Sequence, residues 1–447
     1  MEIAGRRFYI ISLGCPKNLV DSEEVAGILC QKGAVPVTDA HEADILITNT
    51  CAFIQDAVEE TISTIIDLEE IAALGDDVRI AVIGCFVQRF GKKLLNLFPE
   101  VDIFVGTGFL HKFHIALERN LKSWEKIFWI NRPDALCGTK VPRLLSGPAH
   151  TAYVKVSEGC SHSCSFCLIP KLRGPLRSRP LEIIIEEARD LARKGTRELI
   201  LVGQDTTAYG MDLGLPGLIV DLLRKLAEIP ELRWLRLMYA HPRGITNDLL
   251  KIINEYPTIL PYLDVPVQHV VPKILKAMRR DYTEPPESLI ERIRKFVPGA
   301  VLRTSLIVGF PGETTKDYKK LLRFVEWAEF DRLGVFEFSG EAGTAAYRMK
   351  PRVRPVTKSR RKDEILTLQA EISLKKHEKL IGTIQEAIVE REAAHSEQGR
   401  GRLWSQAPEV DGEFFFTGGG LRPGDIAKFK IISAQPYDLE GISVQET

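Results

Sequence analysis

No apolar run in this chain approaches the roughly 18 residues that a membrane-crossing helix needs. The opening, MEIAGRRFYIISLGC, also lacks the apolar core and small-residue cleavage site of a secretory leader, so a cytosolic location is the default expectation. Neither charge is in excess: 60 basic residues stand against 60 acidic ones, which leaves no global pull toward nucleic acid or a membrane surface. Cysteine is scarce, and 8 in 447 residues are too few for a disulfide-stapled secreted fold. In a reducing compartment, grouped cysteines bind metal or do chemistry. A chain of this length exceeds one ordinary core and gives an expectation of about three domains.

Residues 7 to 130 alternate apolar runs with helical patterns: FYIISLG, SEEVAGILCQKG, ADILITNT, a helical stretch over 57–74, VRIAVIG and LLNLFPEVDIFVG. Strands alternating with helices give an open parallel α/β sheet with right-handed crossovers. Ligands of such sheets sit outside the carboxyl ends of the strands. Cys15, Cys51 and Cys85 each end one of these runs, so the topology brings them together. The alternative is three buried structural cysteines. Cys30, on an apolar helical face, and Cys137, in a loop, read as structural.

From Ala152 the alternation restarts and cycles six times, with strand candidates AYVKVSEG, ELILVG, RWLRLMY, YLDVPVQ, VLRTSLIVGF and RLGVFEFS. Six units are too few to close an eight-stranded barrel, so a central partial (β/α)6 barrel is expected, with its active face at the carboxyl ends of the strands. The run EGCSHSCSFC, with Cys160, Cys164 and Cys167, follows the first strand and falls at that face. A helical connector over 357–380 carries Ile365, Leu368 and Ile372 at helical spacing and reads as packed on the barrel. Beyond it, IQEAIVE, RLWSQA, GEFFFTG, DIAKFKIISAQ and YDLEGISV read as a small antiparallel β-barrel, a module that usually grips a macromolecule. The expected domains are 1–140, 146–378 including the connector, and 379–447.

A structural zinc site takes four ligands, usually as two close pairs. The spacing C-x3-C-x2-C has no second pair nearby, and zinc would have to recruit Cys137, His150 or His162. Three thiolates can instead hold three corners of a cubic iron–sulfur cluster and leave one iron free for an outside ligand. Two sets of three then suggest two such clusters.

The CSHSCSFC loop on the first strand of a partial barrel resembles the radical S-adenosylmethionine superfamily. That resemblance implies a [4Fe-4S] cluster on Cys160, Cys164 and Cys167 whose open iron is chelated by S-adenosylmethionine, split reductively to a 5′-deoxyadenosyl radical, and it places Phe166 by the adenine. The protein then positions cofactors that carry the hard chemistry. The order of a three-cysteine sheet domain, a radical barrel and a small terminal barrel, the TRAM module, is similar to that of the methylthiotransferases. This implies a second [4Fe-4S] cluster on Cys15, Cys51 and Cys85 that handles the sulfur, two molecules of S-adenosylmethionine per turnover, an electron donor of flavodoxin or ferredoxin type, and a sulfur donor.

Within that family the segments GCPKNLVDSE, GQDTTAYGMDL, RLMYAHP, YLDVPVQH, ILKAMRR and APEVDG resemble the branch that modifies an aspartate of small-subunit ribosomal protein S-twelve. The tRNA-adenosine branch has Gln-Met in place of Pro16-Lys17. Gly340 and Ala345 depart from the expected basic residue and proline, which touches only local loop shape. Charge gives an independent sign: residues 379–447 hold seven Lys/Arg against eleven Asp/Glu, which suits a basic protein partner better than RNA. The reading is a methylthiotransferase acting on the β-carbon of one aspartate of that protein, with tRNA the less favoured substrate. A β-hydrogen is not acidic enough for a side-chain base, so acid–base groups are not sought. Gly203 and Gln204 after the second barrel strand, Gln268 after the fourth, and Arg303 and Ser305 on the fifth beside the turn Gly309–Glu313 are the expected S-adenosylmethionine contacts. For sulfur to reach a carbon radical, the strand-end face of the first domain must cover the barrel mouth.

Overall fold

The computed structural model of the chain describes residues 2–75, 77–133, 140–280, 282–393 and 397–444. Strands β1 (Arg7–Ser12), β2 (Val35–Pro36), β3 (Ile45–Thr50), β4 (Arg79–Gly84), β5 (Ile103–Gly106) and β6 (Ile127–Trp129) form a parallel sheet in the order β2-β1-β3-β4-β5-β6. Every residue of β3 and β4 is buried, as befits strands covered on both faces. Alternate side chains divide between two layers. Ile45, Ile47, Ala81 and Ile83 pack with Val25 and Leu29 of α1 (Pro16–Gln31), whereas Ile80, Val82 and Phe104 pack with Val58 and Ile65 of α2 (Gln55–Ala72). The edge strands β2 and β6 are two and three residues long. They are absent from the expected strands because so short a run leaves no period to detect.

The central domain opens with β7 (Thr151–Lys155). A two-stranded ladder of β8 (Ser157–Glu158) and β9 (Arg177–Ser178) brackets the cysteine loop, and β10 (Glu198–Val202), β11 (Trp234–Leu237), β12 (Ile259–Asp264), β13 (Val301–Val308) and β14 (Arg332–Glu337) follow. All six main strands run parallel in the order β14-β13-β12-β11-β10-β7, with no pairing between the outer two. This is the open partial barrel expected. Leu199, Leu201, Leu235 and Leu302 face the helices, and Ile200, Val202, Trp234, Tyr262 and Val301 face the interior. The connector is one helix, Pro355–Glu378, which buries Ile365 and Ile372 against the barrel layer.

Strands β15 (Ile384–Arg391), β16 (Gly399–Leu403), β17 (Phe414–Thr417), β18 (Ile426–Ala434) and β19 (Leu439–Ser443) close into a barrel in the order β15-β16-β17-β19-β18. Phe414, Phe416 and Phe429 fill it, with ring centroids 4.8 to 5.1 Å apart between Phe429 and the other two. One pairing departs from the expected antiparallel barrel. β19 returns antiparallel to β18 and so lies parallel to β17.

The small barrel docks at the end of the central barrel where the strands begin. Glu198, the first residue of β10, is fully buried between Arg236 at 2.8 Å and Arg402 of β16 at 2.6 Å. Arg236 also donates to the Trp404 carbonyl at 3.0 Å, and the Tyr262 hydroxyl meets Asp411 at 2.7 Å. Trp404, Ala407 and Ile388 close the interior core from this side. The APEVDG segment therefore serves the domain junction through Asp411.

Glu198→Gln should leave Arg236 and Arg402 short of a counter-charge in a dry site and cost about 3 kcal/mol or more. Glu390→Gln, whose carboxylate also pairs with Arg402 but is 24% exposed, should cost less than about 1 kcal/mol. Urea unfolding followed by circular dichroism would separate the two variants.

Candidate active site

Cys15, Cys51 and Cys85 follow the carboxyl ends of β1, β3 and β4, which are neighbours in the first sheet. Gly14 has a left-handed φ of +90°, and a Cβ there would lie 2.9 Å from the Cys51 sulfur, so the β1 loop closes directly onto Cys51. A polar frame ties the three strand ends together. Asn18 Nδ2 donates to the Leu13 carbonyl at 2.8 Å and the Thr50 carbonyl at 3.0 Å, and Thr50 Oγ1 donates to the Ile83 carbonyl at 2.6 Å. Burial raises the Cys51 thiol and pushes the Cys85 thiol up to about 12; Arg173 opposes both shifts and the neighbouring thiols reinforce them.

The second set is held as tightly. Gly159 is left-handed at φ +76° because the backbone of Pro175 presses on it, and the Cys160 amide donates to the Gly174 carbonyl at 3.0 Å. The Ser165 amide and hydroxyl donate to the Met278 and Ala277 carbonyls at 3.0 and 2.8 Å, and the Ile169 amide points at the Cys167 sulfur at 3.4 Å. Burial pushes the Cys160 thiol up to about 11 and the Cys167 thiol up to about 12, with added repulsion from Cys164. Buried thiols of this kind stay protonated alone and need a cationic centre to become thiolates. Two sets of three converging soft donors fit iron–sulfur clusters, each with an open position.

One side chain from the loop of the second set reaches the first. The guanidinium of Arg173, in the loop after Cys167, donates to the Cys85 sulfur at 3.3 Å, to Asp21 at 2.6 Å, to Asn18 Oδ1 and to Glu158 at 3.3 Å. Burial would raise the Glu158 carboxyl, but Arg173 and Lys155 hold it down to about 2. Lys155 also binds Asp21, and Arg143 binds both Glu23 and Glu187. Arg89 of α3 (Cys85–Phe90) meets Glu341 at 2.6 Å. The strand-end face of the first sheet thus covers the barrel mouth, as the chemistry required. The segment holding Gly340 and Ala345 takes part through Glu341.

Phe166 packs against the main barrel core. Gly203 lies over Ser157, and Gln204 Nε2 donates to Glu158 at 3.1 Å while its buried Oε1 has no partner among the described residues. Gln268 adopts φ +66° and its amide donates to the Ser305 carbonyl at 2.8 Å, so these two residues share one level of the barrel. Arg303 pairs with Asp264, the last residue of β12, and its guanidinium lies between Asp264 at 3.1 Å and Asp411 at 3.8 Å, while β13 runs on to Val308. Of the histidines the zinc alternative would recruit, only His162 lies beside the cysteine loop, where with Asp205 and His241 it forms a group of possible metal ligands. His150 lies against Gly424 of the small barrel, and His162 is bound to Asp205 at 2.6 Å. Cys137 lies outside the described residues. Cys30 is half-buried on α1 beside the first core.

Several residues at the site went unmarked by sequence reasoning. His162 stacks on His241 at 4.0 Å and shares Asp205 with Thr207, forming one polar wall beside Cys160. Burial and the nearby cation Arg280 lower His241 to about 3, so it is neutral. Arg280 itself reaches to 3.8 Å from the Cys164 sulfur. Lys17 lies over the Tyr239 ring at 3.5 Å. The basic run LIPKLRGPLRSRP after Cys167 was the available signal for Arg173, but a surface reading of such a run is the ordinary one.

Gly14→Ala combines a left-handed backbone with a methyl 2.6 Å from the Cys51 Cβ. It should lower iron bound per reconstituted chain to about half while the other cysteine set still loads, as read by iron assay and absorption spectrum.

Residues 7–106 match the uncharacterized protein family UPF0004, residues 154–325 the radical SAM superfamily, and residues 381–444 the TRAM domain. The chain is 45% identical over 444 residues to the ribosomal protein uS12 methylthiotransferase RimO of Geobacter sulfurreducens, covering 99% of each. It is 42% identical to that of Trichlorobacter lovleyi, covering 100% of each, and 44% identical to that of Pelobacter propionicus, covering 98% of this chain and 97% of the relative. Among solved structures, the radical S-adenosylmethionine methyltransferase TsrM of Kitasatospora setae superposes with a TM-score of 0.55 at 14% identity, covering 86% of this chain and 78% of that one. That likeness concerns fold alone. Identity of this extent along the full length places the chain in the ribosomal protein uS12 methylthiotransferase family, RimO, of the radical SAM superfamily.

Proposed function

We propose that this chain inserts a methylthio group at the β-carbon of an aspartate in small-subunit ribosomal protein uS12, forming 3-methylthioaspartate. The observation that supports the reading most is the buried Arg173, six residues after Cys167, whose guanidinium reaches the Cys85 sulfur of the first domain. Cys160, Cys164 and Cys167 would hold the cluster that receives S-adenosylmethionine, and Cys15, Cys51 and Cys85 the second. When bound, these groups supply a 5′-deoxyadenosyl radical that takes hydrogen from an unactivated carbon and a sulfur that replaces it.

The side chains do the positioning. Phe166, Gly203, Gln204, Gln268, Arg303 and Ser305 are the proposed S-adenosylmethionine contacts. The unpartnered Oε1 of Gln204 offers an acceptor there. Arg173, Lys155 and Arg143 keep the first domain seated on the mouth, which keeps water from the reacting carbon. A low-potential electron donor of flavodoxin or ferredoxin type and a separate sulfur donor complete the requirements. Among the described residues no helix is long and apolar enough to cross a membrane, and a cytoplasmic site of action follows from the ribosomal substrate. The working domain boundaries are 1–140, 146–378 and 379–447.

Reconstituted enzyme incubated with S-adenosylmethionine and reductant should add one methylthio group to uS12 and none to tRNA, as read by mass spectrometry of each. A gain on tRNA alone would overturn the reading. Replacing Cys160, Cys164 and Cys167 together by alanine should abolish reductive cleavage of S-adenosylmethionine, and surviving cleavage would remove the radical assignment.

A further inference from the structure

The cations at the junction of the first two domains are matched to carboxylates almost without exception. Lys155 faces Asp21 and Glu158, Arg143 faces Glu23 and Glu187, Arg173 faces Asp21, and Arg89 faces Glu341. Lys17 is different. It is 8% exposed, and its ammonium lies 3.5 Å from the centre of the Tyr239 ring, yet among the described residues no carboxylate comes within ion-pair distance. A cation–π contact offsets only part of the cost of removing an ammonium from water. Tyr239, Cys15 and Asp264 favour the charged ammonium, but no carboxylate pairs with it directly, so a contact position on Lys17 is open to an anion that arrives from outside.

Its position narrows which anion. Lys17 is the second residue of α1, which starts directly after Cys15, and Tyr239 follows the carboxyl end of β11. The Tyr239 amide is bound to Asp264 at 3.1 Å, which fixes the ring at the mouth of the barrel. The ammonium therefore projects from the domain of one cysteine set into the opening of the domain that carries the other. A group held by Lys17 sits between the two.

We propose that Lys17 is a specificity-determining residue that binds the side-chain carboxylate of the target aspartate and so holds its β-carbon between the two cysteine sets. The inference rests on the aspartate reading given above. In aspartate the carboxylate is bonded directly to the β-carbon, so fixing the first places the second. The same contact rejects residues of similar size that lack the charge. An ammonium on a flexible stem suits this task because it can follow a single carboxylate oxygen without the two-pronged geometry of a guanidinium.

The test uses the full-length enzyme reconstituted with iron and sulfide, with intact uS12 and a uS12 variant carrying Asn at the target position. Methylthio product and 5′-deoxyadenosine are quantified by mass spectrometry. The wild-type enzyme should favour the aspartate substrate in kcat/KM by about tenfold or more, the scale of a lost charge-assisted hydrogen bond. Lys17→Met should reduce that preference to less than about twofold and make less methylthio product per 5′-deoxyadenosine, at unchanged iron content; Lys17→Arg should keep the preference. Because residue 17 adjoins Cys15, Lys17→Gln replaces the methionine variant if the latter fails to load iron. Undiminished preference for aspartate in the loaded variant, or a rise confined to the KM for S-adenosylmethionine, would overturn the proposal. Failure of the wild-type enzyme to modify uS12 would instead overturn the aspartate reading beneath it.

Discussion

Arg173 is 2% exposed, and its guanidinium is divided among Asp21, Asn18, Glu158 and Cys85. Together with the Lys155–Asp21, Arg143–Glu23 and Arg89–Glu341 pairs, that matched cation holds the two sulfur-bearing faces in position. Removing one partner of a buried ion pair costs more than the pair contributes, because the survivor is left charged in a dry site. Asp21 and Asn18 stand on α1, which also carries Lys17, and α1 begins at the loop of Cys15. The helix that forms one sulfur site is thus the helix clamped to the barrel. Any shift of the domain junction is felt at a cysteine sulfur.

The barrel is stoppered at both ends by polar groups that pair within it. From above come Lys17, over Tyr239, and the ion pairs of α1; from below come Asp411 and Arg402 of the small barrel. Between them Asp264 and Arg303 form an inner pair, and burial raises the Asp264 carboxyl while Arg303 opposes that shift. A column of this kind replaces the layered aliphatic filling of a closed barrel.

Sequence patterns captured most strands of four or more residues because each buries a continuous or alternating apolar face; β16, GRGRL, has none, and the expected run RLWSQA overlaps only its last two residues. They captured both cysteine sets, since the ends of parallel strands lie on one side of a sheet by topology. The two short edge strands escaped, having too few residues to show a period. So did Arg173, whose neighbours Asp21 and Asn18 come from a helix distant in sequence. Nothing local marks a surface-looking arginine as the centre of a junction. Lys17 was visible within a motif, but its isolation from carboxylates appears only when every neighbouring cation has been assigned a partner. The docking of the small barrel was equally hidden, because Glu198, Arg236 and Arg402 are ordinary charged residues until they are buried together.

That docking sets a length. The small barrel, with more acidic than basic residues, sits where the strands of the central barrel begin, and the cysteine loops sit where they end. β7, which starts beside Arg402 and leads to the cysteine loop, has five residues, so about 16 Å of strand separates the two levels. A protein that rests its basic surface on the small barrel can react only if its target residue stands out on a projection long enough to bridge that gap. The central barrel then serves as a gauge. For such a protein the match would be one of spacing between two parts of a folded surface, which a local sequence around the target residue does not encode.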